Sequence, residues 1–357
     1  MIKADEASTV GCGANSTPPP LTLPGWGKGV TRRRTIRIMA AGAGLPLMIA
    51  AVRASAPQPQ MFHWQGAVLD AVSELTLWHT DAGFVRRTIL KIEAEIARYE
   101  RIFSLYQPMS EISRLNAAGE LRRPASELRA LIEESQRFSV LSGGAFDVSV
   151  QPLWQLYEGH FWSRTHIVPD IAARAQDLAR ELVDFRHIET GAGRIAFARD
   201  GMAITLNSVA QGYITDAIAD LLRNEGFEKA MVDLGEFHAL GTNPDGQPWR
   251  VGIQNALAPT EVGRVIELDD TALAVSGGYG TTFEPTGRFH HIFDPHTGAS
   301  ANKLADAAVI GPRATAANAL AVAICVAGEE RAKPLLQACP GTRAILTRSD
   351  GTSVTIG

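Results

Sequence analysis

The chain has 357 residues, 45% of them hydrophobic and 20% charged, with a formal net charge of −4. This is the make-up of a folded protein with a sizeable core, and it excludes a disordered or fibrous chain. Seven basic and two acidic residues fall in the first 56, so the remainder carries a net −9, which argues against nucleic-acid binding, where a basic face displaces phosphate counterions.

The chain opens on an export segment. Arg32-Arg33-Arg34-Thr35-Ile36-Arg37 precedes a Gly/Ala-rich apolar run of 15 residues from Ile38 to Val52, then Ala54-Ser55-Ala56. A basic stretch, a modest apolar core and an A-x-A site describe a cleavable signal peptide. The paired arginines and low hydrophobicity point to the twin-arginine route, which carries folded proteins, although Thr35 stands where that motif commonly has Phe. An uncleaved anchor is the alternative, and the run is shorter than the roughly 20 residues of a spanning helix. The expectation is a signal peptide over 1–56 and a single working domain over 57–357, acting in a bacterial periplasm.

Beyond it, Ala67 to His79 reads as one early strand. Asp81 caps a helix whose apolar positions Val85, Ile89, Ile92, Ile96, Tyr99 and Phe103 recur at helical spacing. A second helix starts at Pro124 and stops at Gly143-Gly144. A third covers Ser208 to Glu225 and ends at Gly226. Strands follow at Ala230–Leu234, Trp249–Gln254, Arg264–Leu268, Ala272–Val275, Arg343–Thr347 and Thr352–Ile356, interrupted by an apolar helix from Thr315 to Ala327. The reading is an α+β fold of mixed sheets and packed helices in two lobes. No Cys/His cluster has metal spacing. Cys325 and Cys339 are either a disulfide pair or, the blander reading, a buried thiol on an apolar helix and a separate one.

Five segments place glycine, small polar and acidic residues between regular elements, where binding residues gather. They are Ser104 to Asn116, Gly143-Gly144-Ala145-Phe146-Asp147, Asn207 to Tyr213, Ser276-Gly277 and His290 to Gly298. Taken singly each has a local reading, Gly143-Gly144 as a helix stop and the polar side chains as caps or turn formers.

The order of these segments resembles the ApbE family, which runs from S-x-Y and S-E-x-S-x-x-N through G-A-F-D, G-I/V-A-K/Q-G-Y, D-L-G and S-G to H-I-x-D-P-x-T-G. Here the matching residues are Ser104 to Asn116, Gly144 to Asp147, Asn207 to Tyr213, Val232 to Gly235, Ser276-Gly277 and His291 to Gly298. The twin arginines and Gly235-Glu236 are also similar to the NosX branch, associated with nitrous oxide reductase assembly. The resemblance implies an FAD:protein FMN transferase that moves FMN from FAD to a Thr or Ser of a periplasmic acceptor domain of a membrane protein, of the NosR type, and releases AMP. The FAD it implies needs flat apolar surfaces for its rings, with Tyr106 the stacking candidate, and backbone N–H groups at a helix start for its pyrophosphate, which Asn207 and Ser208 introduce, with Gln211 and Gly212 allowing close approach. Ser113, Asn116, Asp147, Ser276 and Gly277 complete the implied binding set; the polar side chains among them serve equally well as local caps or turn formers. The resemblance also implies Mg²⁺ on the pyrophosphate and makes His291 the base that takes the acceptor proton. His290 reads as a surface strand residue, and Asp294 either orients the base or holds the turn.

The family's metal site uses a backbone carbonyl, here Ala210, and side chains of an A-D-A-L-x-T helix. In this chain the carboxylate position is Asn318 and the hydroxyl position is Val322. Mg²⁺ favours charged oxygen ligands, so a catalytically degenerate FAD-binding or flavin-delivery protein is the alternative function. Glu236 restores the charge only if the fold carries it to Asn318.

Overall fold

A computed structural model describes residues 58–162 and 170–357. The export segment expected over 1–56 lies outside the described residues. Among them, no helix is long and apolar enough to cross a membrane.

In chain order the strands are β1 (Gln60–Val68), β2 (Ala71–His79), β3 (Glu120–Arg122), β4 (Ile188–Gly191), β5 (Arg194–Phe197), β6 (Ala230–Asp233), β7 (Phe237–Leu240), β8 (Trp249–Gln254), β9 (Val262–Leu268), β10 (Ala272–Gly277), β11 (Asp306–Gly311), β12 (Arg343–Thr347) and β13 (Ser353–Ile356). The α-helices are α1 (Ala82–Phe103), α2 (Glu111–Ala118), α3 (Ser126–Leu141), α4 (Gln151–Trp162), α5 (Ala173–Arg180), α6 (Ala210–Asn224), α7 (Ala314–Ala327) and α8 (Glu329–Gln337).

The framework is an antiparallel sheet in the order β1-β2-β6-β7-β10-β11-β12-β13. Smaller sheets, β3-β5-β4 and the β8-β9 hairpin, accompany it. The expected α+β class is met. The single strand expected over 67–79 is corrected: Leu69 and Asp70 both take positive φ, 48° and 68°, forming the tight turn that joins β1 to β2. That turn type usually calls on Gly or Asn, so the sequence hides it.

Both faces of the central sheet are covered, and strand periodicity sorts the side chains between them. Ala274, Ala307 and Val309 join the core that also holds residues of α1, α6 and α7. Leu273, Ala308 and Ile310 pack instead with Trp249, Val251 and Ile266 of the β8-β9 hairpin. All six residues of β11 are buried, and with no polar side to alternate, that strand escapes a reading based on alternation. A third apolar group, Leu153, Tyr157 and Phe161 of α4 with Phe283 and Phe293, ties α4 to the loops after β10.

Helix α1 forms as its spacing demands. The Asp81 carboxylate accepts from the N–H groups of Gly83 and Phe84, satisfying donors that the first turn leaves open. Helix α7 has no side-chain cap of its own. Its N-terminus is held from α6, where Asp216 accepts from Ala314 N at 2.8 Å, Thr315 N at 2.9 Å and Thr315 Oγ1 at 2.7 Å. Buried His238 on β7 approaches the same carboxylate at 3.0 Å. Despite burial, these donors and Arg313 hold Asp216 below the usual carboxylate range. The two helices touch because position 212 is glycine: a Cβ there would lie 2.6 Å from the Ala314 carbonyl oxygen.

Candidate active site

The five segments singled out in the sequence form one connected belt. Ser104 O accepts from Ser110 Oγ at 2.6 Å and Ser113 Oγ at 3.2 Å, which folds the 104–110 loop onto α2. From the same helix Asn116 pairs with both backbone groups of Ile204, each at 2.8 Å, fastening α2 to the approach to α6. Thr205 N donates to Val148 O at 2.8 Å, joining that approach to the segment after Asp147. Gly144 lies against His296, 3.1 Å from where a Cβ would stand, and Gly278 lies against the His290 ring. Cys325 Sγ on α7 donates to Ser276 O at 3.2 Å.

His291 is the chemically versatile member of the belt. Its Nδ1 stands 3.1 Å from the Thr281 carbonyl oxygen. A carbonyl only accepts, so Nδ1 carries the proton, and in the neutral ring Nε2 carries the lone pair. Trp154 on α4 sets its edge against the imidazole at 6.5 Å, and Trp154 is itself packed edge-on to Phe283. The turn that follows is rigid: Asp294 Oδ1 accepts from His296 N at 2.9 Å, and its carbonyl accepts from Gly298 N at 2.8 Å. Tyr157 Oη donates to Gly298 O at 3.1 Å. Asp294 therefore holds the turn. His290 corrects the expectation of a surface residue: it is 3% exposed, its Nε2 meets Asn302 Oδ1 at 3.2 Å, and burial lowers its pKa.

Helix α6 starts at Ala210 without a side-chain cap, with Val209 between it and Asn207-Ser208. Gln211 is buried against Gly235, whose φ of +102° and absent Cβ admit the Gln211 amide. The turn Leu234-Gly235-Glu236 between β6 and β7 then aims Glu236 inward. Its carbonyl accepts from Thr215 Oγ1 at 3.3 Å, and its carboxylate Oε1 accepts from Asn318 Nδ2. Both residues are buried, at 5% and 4% exposure. A carboxylate has no proton to give, so the Asn318 amide must present its nitrogen to Glu236, and its Oδ1 is left buried with no hydrogen-bond partner among the described residues. A carboxylate and an uncommitted amide oxygen in one buried site are donors of the hard type that Mg²⁺ takes. Val322, one turn further on α7, offers none.

The predicted site residues thus divide by what they touch. Asn116 is committed to the Ile204 backbone. Asp147 accepts from Ser149 N and Oγ with one oxygen and from Phe185 N with the other, and burial raises its pKa. Ser113 takes part in the Ser104 knot, and Gly212 serves the contact between α6 and α7. Ser276 and Gly277 end β10, with the Ser276 carbonyl engaged by Cys325. Tyr106, 53% exposed, keeps a face open to solvent. Both Cys325, buried, and Cys339 are free thiols. Asp216 was missed, although a carboxylate at an inward phase of an apolar helix face is a readable sign of a buried cap. The clefts around Tyr99 and Leu221 and around Arg250 and Arg343 lie apart from this belt.

Residues 69–346 match the model of the ApbE family. A protein named FAD:protein FMN transferase from Vibrio cholerae is 32% identical over 244 residues, 66% of this chain and 72% of that protein. One of the same name from Treponema pallidum is 31% identical over 293 residues, 75% of this chain and 79% of that protein. The solved structure of the flavin transferase ApbE from Vibrio cholerae superposes with a TM-score of 0.73 at 25% identity, covering 84% of this chain and 98% of that one.

Proposed function

This chain belongs to the ApbE family, and from that premise we propose that it is an FAD:protein FMN transferase. The observation that carries the reading is the tautomer of His291: its protonated Nδ1 is fixed on Thr281 O, which equips Nε2 to take a proton. The acceptor hydroxyl oxygen bonds to the FMN phosphorus, the P–O bond to AMP breaks, AMP leaves with the bridging oxygen, and the hydroxyl proton passes to Nε2. Tyr106 offers a flat surface to a ring of FAD, and the segment from Asn207 into the first turn of α6 is the place for its phosphates. Mg²⁺, held by Asn318 Oδ1 and the Ala210 carbonyl, would offset the pyrophosphate charge when bound. The acceptor is a threonine or serine in a periplasmic domain of a membrane protein, of the NosR type, in a pathway of the NosX branch, and the chain reaches it through the twin-arginine segment at its start.

Val322 favours a second reading, an FAD-binding protein that delivers flavin without transferring it, because its side chain cannot ligate a metal. Incubation of residues 57–357 with FAD, Mg²⁺ and a NosR-type flavin domain separates the two. An FMN-sized mass gain that requires the acceptor threonine supports transfer. FAD binding without any adduct, where a relative with intact Asp and Thr ligands succeeds, supports delivery.

A further inference from the structure

We propose that Glu236 is a ligand of the divalent cation and supplies the negative charge that Asn318 lacks. The two residues come from different parts of the chain, one from the turn between β6 and β7 and one from α7, and meet in a buried hydrogen bond. Donating its N–H to the Glu236 carboxylate turns the Asn318 amide oxygen into a buried acceptor without a hydrogen-bond partner among the described residues, which is unfavourable. A cation bound by Asn318 Oδ1 and the adjacent Glu236 carboxylate satisfies that oxygen. Mg²⁺ sites of this type use one or two protein side-chain oxygens and complete their shell with water and substrate phosphate. The turn is built to keep Glu236 in place: Gly235 takes a left-handed φ under the Gln211 amide, and Thr215 holds the Glu236 carbonyl.

The proposal rests on the transferase reading only for what the cation does; whether it binds is measured without transfer. The probe is Mn²⁺, followed by the loss of its free-ion resonance on titration into the 357-residue protein. The parent binds one Mn²⁺; Glu236→Gln weakens it by at least about tenfold, with melting temperature monitored in parallel; Glu236→Gln with Asn318→Asp regains most of the affinity, since the charge returns to the same site. If Glu236→Gln fails to fold, anomalous scattering from Mn²⁺ soaked into crystals of the parent decides, with a peak about 2.1 Å from a Glu236 oxygen expected. A parent that binds no Mn²⁺, a folded Glu236→Gln that binds it as tightly as the parent, or a peak elsewhere overturns the assignment. Absence of a flavin adduct with Mn²⁺ binding intact would instead count against the transferase reading alone.

Discussion

Replacing Asp216 by Ala tests the architecture that carries Asn318. The carboxylate answers four donors, Ala314 N, Thr315 N, Thr315 Oγ1 and His238 Nδ1, and pairs with Arg313 at 3.3 Å. Two of the donors are the opening amides of α7, where loss of a cap alone amounts to about 1 kcal/mol. The others are left in a site with almost no solvent access, and removal of one partner from such a buried network destabilises by roughly 3–5 kcal/mol in total. For a body of this size that corresponds to a fall of roughly 6–10 °C in melting temperature. Asn at the same position keeps the volume but turns an amine toward groups that are themselves donors, so it recovers little. Asp216 is held below the usual carboxylate range. Its contribution is therefore present above that range and lost as pH falls through its folded pKa, and the gap between parent and variant narrows in acid. Urea unfolding at pH 7 and at a series of pH values below the ordinary carboxylate range measures both effects. A folded Asp216→Ala within about 1 kcal/mol of the parent at pH 7 would refute the view that α7 is anchored from α6.

Further outcomes follow from single contacts. His291→Ala abolishes flavin transfer while FAD binding, read by fluorescence quenching, stays near the parent's; loss of FAD binding would remove the base assignment. Gly212→Ala sets a Cβ 2.6 Å from the Ala314 oxygen and 2.9 Å from Thr315 Cα, backbone atoms that cannot swing aside, so it lowers stability by about 1–3 kcal/mol in urea unfolding; an unchanged midpoint would contradict that packing. Asp233 stands opposite Glu74 in the sheet, and burial, with Glu74 adding, pushes it up to about 7. Folding favours its neutral form, so stability is lost as pH rises from the ordinary carboxylate range through 7. Asp233→Asn should gain about 2 kcal/mol on the parent between pH 5 and pH 8, discounted for partial solvent access; a pH-independent difference would exclude that ionisation.

Local chemistry determined much of this protein from sequence alone. The Asp81 cap and the apolar stripe of α1, the glycine stop of α6 at Gly226, the apolar run of α7 and the order of the five polar segments are all near-neighbour properties, and each is legible along the chain. Elements without a local mark were not: the Leu69-Asp70 turn uses no glycine, and β11 is apolar on both sides. The roles of polar residues were harder still, because a side chain's partner is chosen by what the fold brings opposite it. Asp147 and Asn116 met backbone groups, His290 turned inward, and His291 acquired its tautomer from a carbonyl ten residues away. The residue type at 236 was visible as a departure from the family's pattern, but its meaning was not. Only the crossing of α6 and α7, set by a missing Cβ at Gly212, and the left-handed turn at Gly235 bring Glu236 to Asn318, 82 residues along the chain.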